Sequence, residues 1–508
     1  MKKFGYLRII IIAVTVLVFP YLAASIAGGE EYVFSGLLVN PADGNSYLAK
    51  MYQGWLGHWK FVLPYSQEQN DGAYFYLFYI LLGHFSRITG LTLVWTYHLA
   101  RIVASIFLMV ALRQYFKRIF ISNEESNRAY LLAVFGSGLG WVASLFGAFA
   151  SDFWVAEAFP FLSMYTNPHF PLSLACMIWI FIIFETPSMR ARIEMFICGI
   201  ILAAISPFGY ALTGIVIFIY AGLEAIGSKR NLWNNVIAVA FGGSLVVLYY
   251  LWIFKTQSEF TAWGNQNNTF SQPLWDTAIS FAPALLLAMW GIITIIQRKE
   301  FHRHKVIIIW AILGITLMYL PFDLQRRFSI GIFVPLSGLA IIGLKEISNR
   351  IPVNRRFLWK LLFICSIPTN IILVLSGVHG IRTHDPAIYL TTAEFGAIEW
   401  IKGSAPGNMT ILASPEIGLF IPAHSGRKVL YGHPYETINA KVEEESVTNF
   451  FSGNWSIEEC KDFIELRNVD LVFYGNRERT IGTPHILGEM EEVFQSNEVA
   501  IFQPQGDE

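Results

Sequence analysis

Six side chains are of the kinds, and in the places, that could do chemistry at a polar site: Asp43, Asp152, Glu157, His169, Arg326 and Arg327. Asp43 is the lone acid of NPADGNSYLAKMYQGWLGHW, residues 40–59. A carboxylate there can take a proton from a hydroxyl. Its plainer use is as the N-cap of the helix that follows. Asp152 and Glu157 share SDFWVAEAF and are either further site acids or solvated loop residues. Arg326 and Arg327 adjoin in PFDLQRRFSIG. Paired guanidiniums fit phosphate oxygens, whereas single interfacial arginines commonly snorkel to headgroups, and Asp323 nearby could neutralise one of them. His169, in YTNPHFPLSL, is a substrate contact or a structural histidine. His58, His84 and His98 have no acid or cysteine at metal spacing, so no metal site is indicated. A single divalent ion held by Asp43 with a second outer-loop acid stays open.

These residues sit in a chain of 508 residues, 54% hydrophobic and 14% charged, with mean hydropathy +0.47. That excludes an ordinary soluble enzyme and gives a polytopic membrane protein. Cys176, Cys198, Cys365 and Cys460 read as small buried hydrophobes. Apolar runs near residues 17, 103, 139, 177, 199, 216, 243, 286, 312, 337 and 367 predict about eleven transmembrane helices. The first, behind MKK, lacks a small-residue cleavage site and is expected to remain as an anchor. The loops RQYFKRIF, MRAR, GSKR, QRKEFHRHK and NRIPVNRR fall at alternate turns and carry most of the Lys and Arg of the membrane part. By the positive-inside rule those turns are cytoplasmic. Residues 29–90, the segments holding Asp152, Glu157, Arg326 and Arg327, and everything after residue 378 are then extracytoplasmic.

The elements that must position Asp43 follow from periodicity. Tyr47, Leu48, Met51, Tyr52 and Trp55 recur at helical spacing with Lys50 and Gln53 opposite, the pattern of a helix lying in the membrane interface. AYFYLFYILLGHF, from residue 73, is too short to span and is expected to be interfacial or re-entrant. Arg101, within an apolar run, must be paired or face other helices. The sequence divides into a membrane domain, residues 1–378, containing the long first outer loop (29–90), and a small extracytoplasmic α/β domain, residues 379–508. The latter alternates helix-like TTAEFGAIEWIKG with strand-like MTILAS, KVLYG, VDLVFYG and VAIF. It carries no Gly-rich phosphate loop, metal-ligand motif or nucleophile elbow.

The layout of a first span, a long outer loop opening on an acid, two short outer helices, further spans and an outer tail resembles the GT-C superfamily of membrane glycosyltransferases. That superfamily includes the protein mannosyltransferase and aminoarabinose transferase type. DGNSYLAKMYQGW, YLFYILLGHFSR and ASPEIGLFIPAHSGRKVLYGHPYET look like stretches of uncharacterised bacterial members. The resemblance implies that Asp43 is the catalytic base. Many members have two adjacent acids here, and this chain has one, in ADG. It also implies that an acid after a later span, Asp152 or Glu157, lines the site.

The implied activity is transfer of a sugar from a polyprenyl-phosphate-linked donor to an extracytoplasmic glycan, lipid or protein acceptor in the cell envelope. Such a reaction needs a base for the acceptor and cations for the departing phosphate. One displacement inverts the anomeric centre, so the two-carboxylate arrangement of glycoside hydrolases is not required. No nucleic acid is expected as a partner. The alternatives are a transporter or flippase of a lipid-linked saccharide, or a non-catalytic membrane scaffold. A transporter commonly shows internal repeats and polar groups at mid-membrane depth. Here no repeat is evident, and the candidate residues gather towards the outer ends of the spans.

Overall fold

A computed structural model describes residues 3–68, 71–228, 230–404 and 407–505. Met1 and Lys2 of MKK, and Lys229 of GSKR, lie outside the described residues. The chain is mostly helical. Among the described residues five helices are long and apolar enough to cross a membrane: Gly5–Ala27, Leu93–Ile119, Pro207–Gly227, Trp233–Thr256 and Arg355–Thr383. The pair Leu274–Phe281 and Ala284–Gln297, bent by 84°, makes a sixth if counted as one span.

The other apolar runs form shorter or more polar helices. Those near 177, 199 and 312 form helices of 15, 17 and 17 residues. At a rise of about 1.5 Å per residue these are shorter than the roughly 30 Å of hydrocarbon. Phe333–Arg350 has 18 residues but includes Lys345, Glu346 and Arg350. The run near 139 breaks entirely: Asn123–Phe135 ends at Gly136, and only the five-residue helix Gly140–Ser144 and the turn Ser151–Phe153 follow. The cause is local. The N–H groups of Gly138 and Gly140 donate to the Asp152 carboxylate instead of continuing a helical ladder.

The chain forms two compact units. One comprises Met1–Phe19, His98–Tyr249 and Asn268–Gly377. Its helices Ala284–Gln297 and Phe333–Arg350 pack along their lengths, as do His169–Ile183 and Met189–Ile205. Arg101, 1% exposed, donates to the carbonyls of Leu17, Met164 and Tyr165 at 2.9–3.1 Å. The guanidinium thus satisfies open backbone acceptors, meeting the requirement set by its place in an apolar run.

The other unit comprises Pro20–Tyr97, Tyr250–Asn267 and Val378–Glu508, so residues 29–90 fold together with the tail. Strands β1 (Tyr32–Phe34) and β2 (Tyr389–Thr391) pair antiparallel. The tail holds a five-stranded sheet of order β4-β3-β5-β7-β6, with β3 at Thr410–Leu412, β4 at Lys428–Val429, β5 at Leu471–Tyr474, β6 at Glu491–Gln495 and β7 at Ala500–Gln503. β3 lies parallel to β4 and β5; β7 runs antiparallel to β5 and β6. Strand periodicity splits its apolar residues between two cores. Ile411, Leu471 and Phe473 pack with Ile398 and Ile401 of the helix Thr392–Ser404. Leu412, Val472 and Tyr474 pack with Val447, Phe450 and Phe463 of the helices Ala440–Ser452 and Ile457–Leu466. Each such buried side chain contributes about 1.5–3 kcal/mol.

The Asp43 helix, Pro41–Leu56, joins the first of these cores through Ala49. Its neighbour Leu77–Thr89 lies against it at backbone distance. A Cβ on Gly83 would stand 1.9 Å from the Met51 carbonyl oxygen, and one on Gly54 2.1 Å from that of Ile80. Glycine alone permits this approach.

Candidate functional site

Asp43 is the third residue of its helix, not the cap. Asn40, in left-handed conformation at φ 49°, occupies the cap position, and Pro41 takes the first turn, where its missing N–H costs nothing. The helix N-terminus favours a negative charge at this place. The Asn40 side-chain amide donates to Asp43 Oδ2 at 2.5 Å. On the other oxygen, His433 Nε2 stands 3.5 Å from Asp43 Oδ1, and the Asp43 side chain remains 40% exposed.

His433 is buried and its tautomer is set by the backbone. Nδ1 accepts the Tyr435 N–H at 3.1 Å, which leaves the ring proton on Nε2, facing the carboxylate. Burial pushes the Asp43 pKa up, but His433, the Asn40 amide and the Lys50 charge together outweigh it and hold the group below its ordinary 3.8. Asp43 is thus ionised through the whole neutral and mildly acid range. In His433→Ala the principal opposition to burial is gone, so the acid limb of any Asp43-dependent activity should move to higher pH. A pH–rate profile with an unmoved acid limb would remove His433 from the site.

Two turns along the same helix face lies a second coupling to the same loop. Lys50 is 0% exposed, and its Nζ contacts Glu436 Oε1 and Ser46 Oγ, both at 2.5 Å. Ser46 in turn donates to Glu436 Oε1. The Tyr76 ring centroid is 4.1 Å from the ammonium, with Tyr47 and Phe61 at 5.0 and 5.4 Å. Tyr76 adopts φ 51°, a costly backbone conformation for an aromatic residue, directly before the helix Leu77–Thr89. Lys50 therefore does not lie on a solvated face, as amphipathic spacing suggests. It is inside, because Glu436 and an aromatic box replace its water.

The loop carrying His433 and Glu436 is itself pinned. Trp263 Nε1 and Asn267 Nδ2 donate to the Tyr435 carbonyl, each at 3.0 Å. Gln266 donates to the Thr437 carbonyl at 2.6 Å and accepts the Asn439 N–H at 3.1 Å. HPYET carries no recognisable motif; His433 and Glu436, three apart in one loop, gain their meaning only from the helix they meet.

The remaining sequence candidates lie in the other unit. Asp152 is 0% exposed, and its Oδ2 accepts from Ser137, Gly138, Gly140 and Thr369 at 2.9–3.2 Å, an arrangement that organises the broken run. Burial, against those donors, raises its pKa to about 6. Glu157 Oε1 is 3.7 Å from Arg326 Nε, and the Arg326 guanidinium lies 4.7 Å from the Trp154 ring centroid. Arg326 thus has Glu157, not Asp323, as its acidic neighbour. Arg327 is exposed and lies 5.8 Å from the Phe208 ring centroid. His169 opens the helix His169–Ile183, and its ring lies 4.0 Å from that of Phe170, tilted by 39°. Among the described residues no three His, Cys, Asp or Glu side chains gather as a metal site would require. Asp43 and His433 supply two donors of that kind and no second carboxylate.

No family model and no curated protein matches the sequence. Solved structures do match in fold. The archaeal oligosaccharyltransferase AglB from Archaeoglobus fulgidus, in complex with an inhibitory peptide and a dolichol-phosphate, aligns with 91% of this chain and 69% of its own at 12% identity and TM-score 0.52. ArnT from Cupriavidus metallidurans, bound to undecaprenyl phosphate, aligns over 99% of this chain and 98% of its own at 11% identity and TM-score 0.52. The arabinofuranosyltransferase AftD from Mycobacteria covers 97% of this chain and 40% of its own at 14% identity and TM-score 0.53. The architecture of this chain is accordingly the fold that these three structures share.

Proposed function

We propose that the protein is an integral membrane glycosyltransferase that moves a sugar from a polyprenyl-phosphate-linked donor to an extracytoplasmic acceptor with inversion. The observation that carries this is Asp43: an accessible carboxylate at a helix N-terminus, kept ionised by His433 and Asn40, in a chain with the fold of ArnT and AglB. Asp43 takes the acceptor hydroxyl's proton while that oxygen bonds to the anomeric carbon. The bond from that carbon to the phosphate oxygen breaks, and its electron pair leaves with polyprenyl phosphate. Because Nδ1 of His433 is engaged by the Tyr435 N–H, the imidazole orients and charges the base without relaying its proton onward. ArnT bound to undecaprenyl phosphate and AglB with a dolichol-phosphate support the choice of donor class.

The test is purified protein in lipid nanodiscs with a labelled polyprenyl-phosphate sugar and a mixed acceptor pool. The expected result is loss of label from the lipid, free polyprenyl phosphate, and a product of inverted configuration. Retained configuration would overturn the single displacement. Passage of the intact labelled lipid across a sealed vesicle, with no sugar released, would make the protein a transporter. Reporter fusions should place the loop at 298–305 in the cytoplasm and the tail after 378 outside. A cytoplasmic tail would put Asp43 on the wrong side for such a donor.

A further inference from the structure

Three of the basic loops converge on one cavity of about 480 Å3 in the unit that holds His98–Tyr249 and Asn268–Gly377. Arg118 comes from RQYFKRIF, Arg230 from GSKR, and Arg303 and Lys305 from QRKEFHRHK, and all four line it. Two carboxylates line it as well, and both are committed. Glu224, its side chain 2% exposed, holds Lys305 Nζ at 2.7 Å and accepts from Ser228 Oγ at 2.5 Å. Glu185 holds Arg230 Nη1 at 3.1 Å and accepts from the Tyr220 hydroxyl. Arg118 and Arg303, both exposed, form no ion pair among the described residues. The cavity therefore keeps two guanidiniums with no acid to neutralise them, over a wall that includes Tyr115 and Phe181.

Loops rich in Arg and Lys at span ends are ordinary and by themselves indicate only orientation. The concavity is what differs. Guanidiniums that line one recess without acidic partners favour an anion that can accept from them. A phosphate does so with oxygens on several sides. Basic recesses between membrane helices commonly hold lipid headgroups in this manner, and the volume falls in the range of small-molecule sites.

We propose that this cavity binds a phosphate group, with Arg118 and Arg303 as its ligands and the Lys305–Glu224 and Arg230–Glu185 pairs as its fixed frame. The phosphate comes from an anionic lipid headgroup or from a soluble phosphate. This site is independent of Asp43 and of the proposed transfer reaction.

The experiment uses the full chain. In one arm, native mass spectrometry follows retention of phosphatidylglycerol against phosphatidylcholine from mixed nanodiscs. In the other, inorganic phosphate is titrated in purely zwitterionic nanodiscs while thermal unfolding is followed. Wild type should hold phosphatidylglycerol, or be stabilised by inorganic phosphate, and Arg118→Gln/Arg303→Gln should weaken that binding about tenfold to a hundredfold, the usual loss of a charge-assisted contact. Arg356→Gln, an exposed arginine of NRIPVNRR that does not line the cavity, should behave as wild type. Arg118→Lys/Arg303→Lys, which keeps the charge, guards against misfolding of the glutamine pair and should retain part of the binding. Equal loss in Arg356→Gln would reduce the effect to general headgroup attraction, and equal behaviour of wild type and the double glutamine variant in both arms would overturn the site.

Discussion

Asp43→Asn should abolish sugar transfer while leaving the protein folded. The asparagine has the same shape; its amide oxygen can keep facing His433, and its NH2 can donate to the Asn40 amide oxygen once that amide turns over, so the local packing survives. What disappears is the ability to take a proton, and positioned general bases contribute about 100-fold to 10,000-fold to rate. Because Asn40 already holds the cap position, the substitution does not remove a helix cap, and a loss of activity cannot be assigned to one. Purified variant and wild type should be compared at matched thermal unfolding midpoint. Turnover within a fewfold of wild type would end the role of Asp43 and with it the main support for catalysis by this chain.

The second large effect is on stability. Lys50→Ala or Glu436→Ala leaves the partner's charge buried and alone, a change that costs about 3–5 kcal/mol. The side chains are 0% and 9% exposed, so water cannot readily take the lost partner's place. Lys50→Met/Glu436→Met should be far milder, because two apolar groups of similar volume need no counter-charge. Thermal unfolding of the four proteins gives the comparison. If both single variants melt with wild type, the pair is not buried as described. If the double methionine variant is stable but its activity falls, Lys50 also acts on Asp43 through its charge, consistent with its part in keeping that carboxylate ionised.

Local pattern carried much of the architecture. Helical spacing in YLAKMYQGW located Pro41–Leu56, and VDLVFYG and VAIF located β5 and β7, since both signals are written within one element. β6 escaped because EEVFQ is an acid-rich, largely exposed edge strand with little apolar alternation. Hydropathy also does not show where an apolar run breaks. GSGLGW belongs to an apolar run, yet its N–H groups serve Asp152, a partner that no window average can register. At the site, Asp43 was legible as an acid in an unusual place. His433 was not, because nothing near it in sequence is acidic until Glu436, and that carboxylate serves Lys50 instead. Lys50 was placed outside for the same reason: spacing rules assume that a lysine keeps its water, and its replacement for water is 386 positions away.

That separation has a consequence for biosynthesis. At about 5–20 residues per second, Glu436 leaves the ribosome roughly twenty seconds to more than a minute after Lys50. Throughout that interval the Asp43 helix exists without either residue of the loop that couples to it. Its lysine must stay hydrated, so the helix cannot yet settle into the packing it finally adopts. The surroundings of Asp43 are consequently assembled among the last features of the chain, and a nascent or truncated product ending before the loop carries Asp43 without its mature environment. Delayed completion of this kind leaves the Asp43 carboxylate without His433 beside it until the apolar helices have been made.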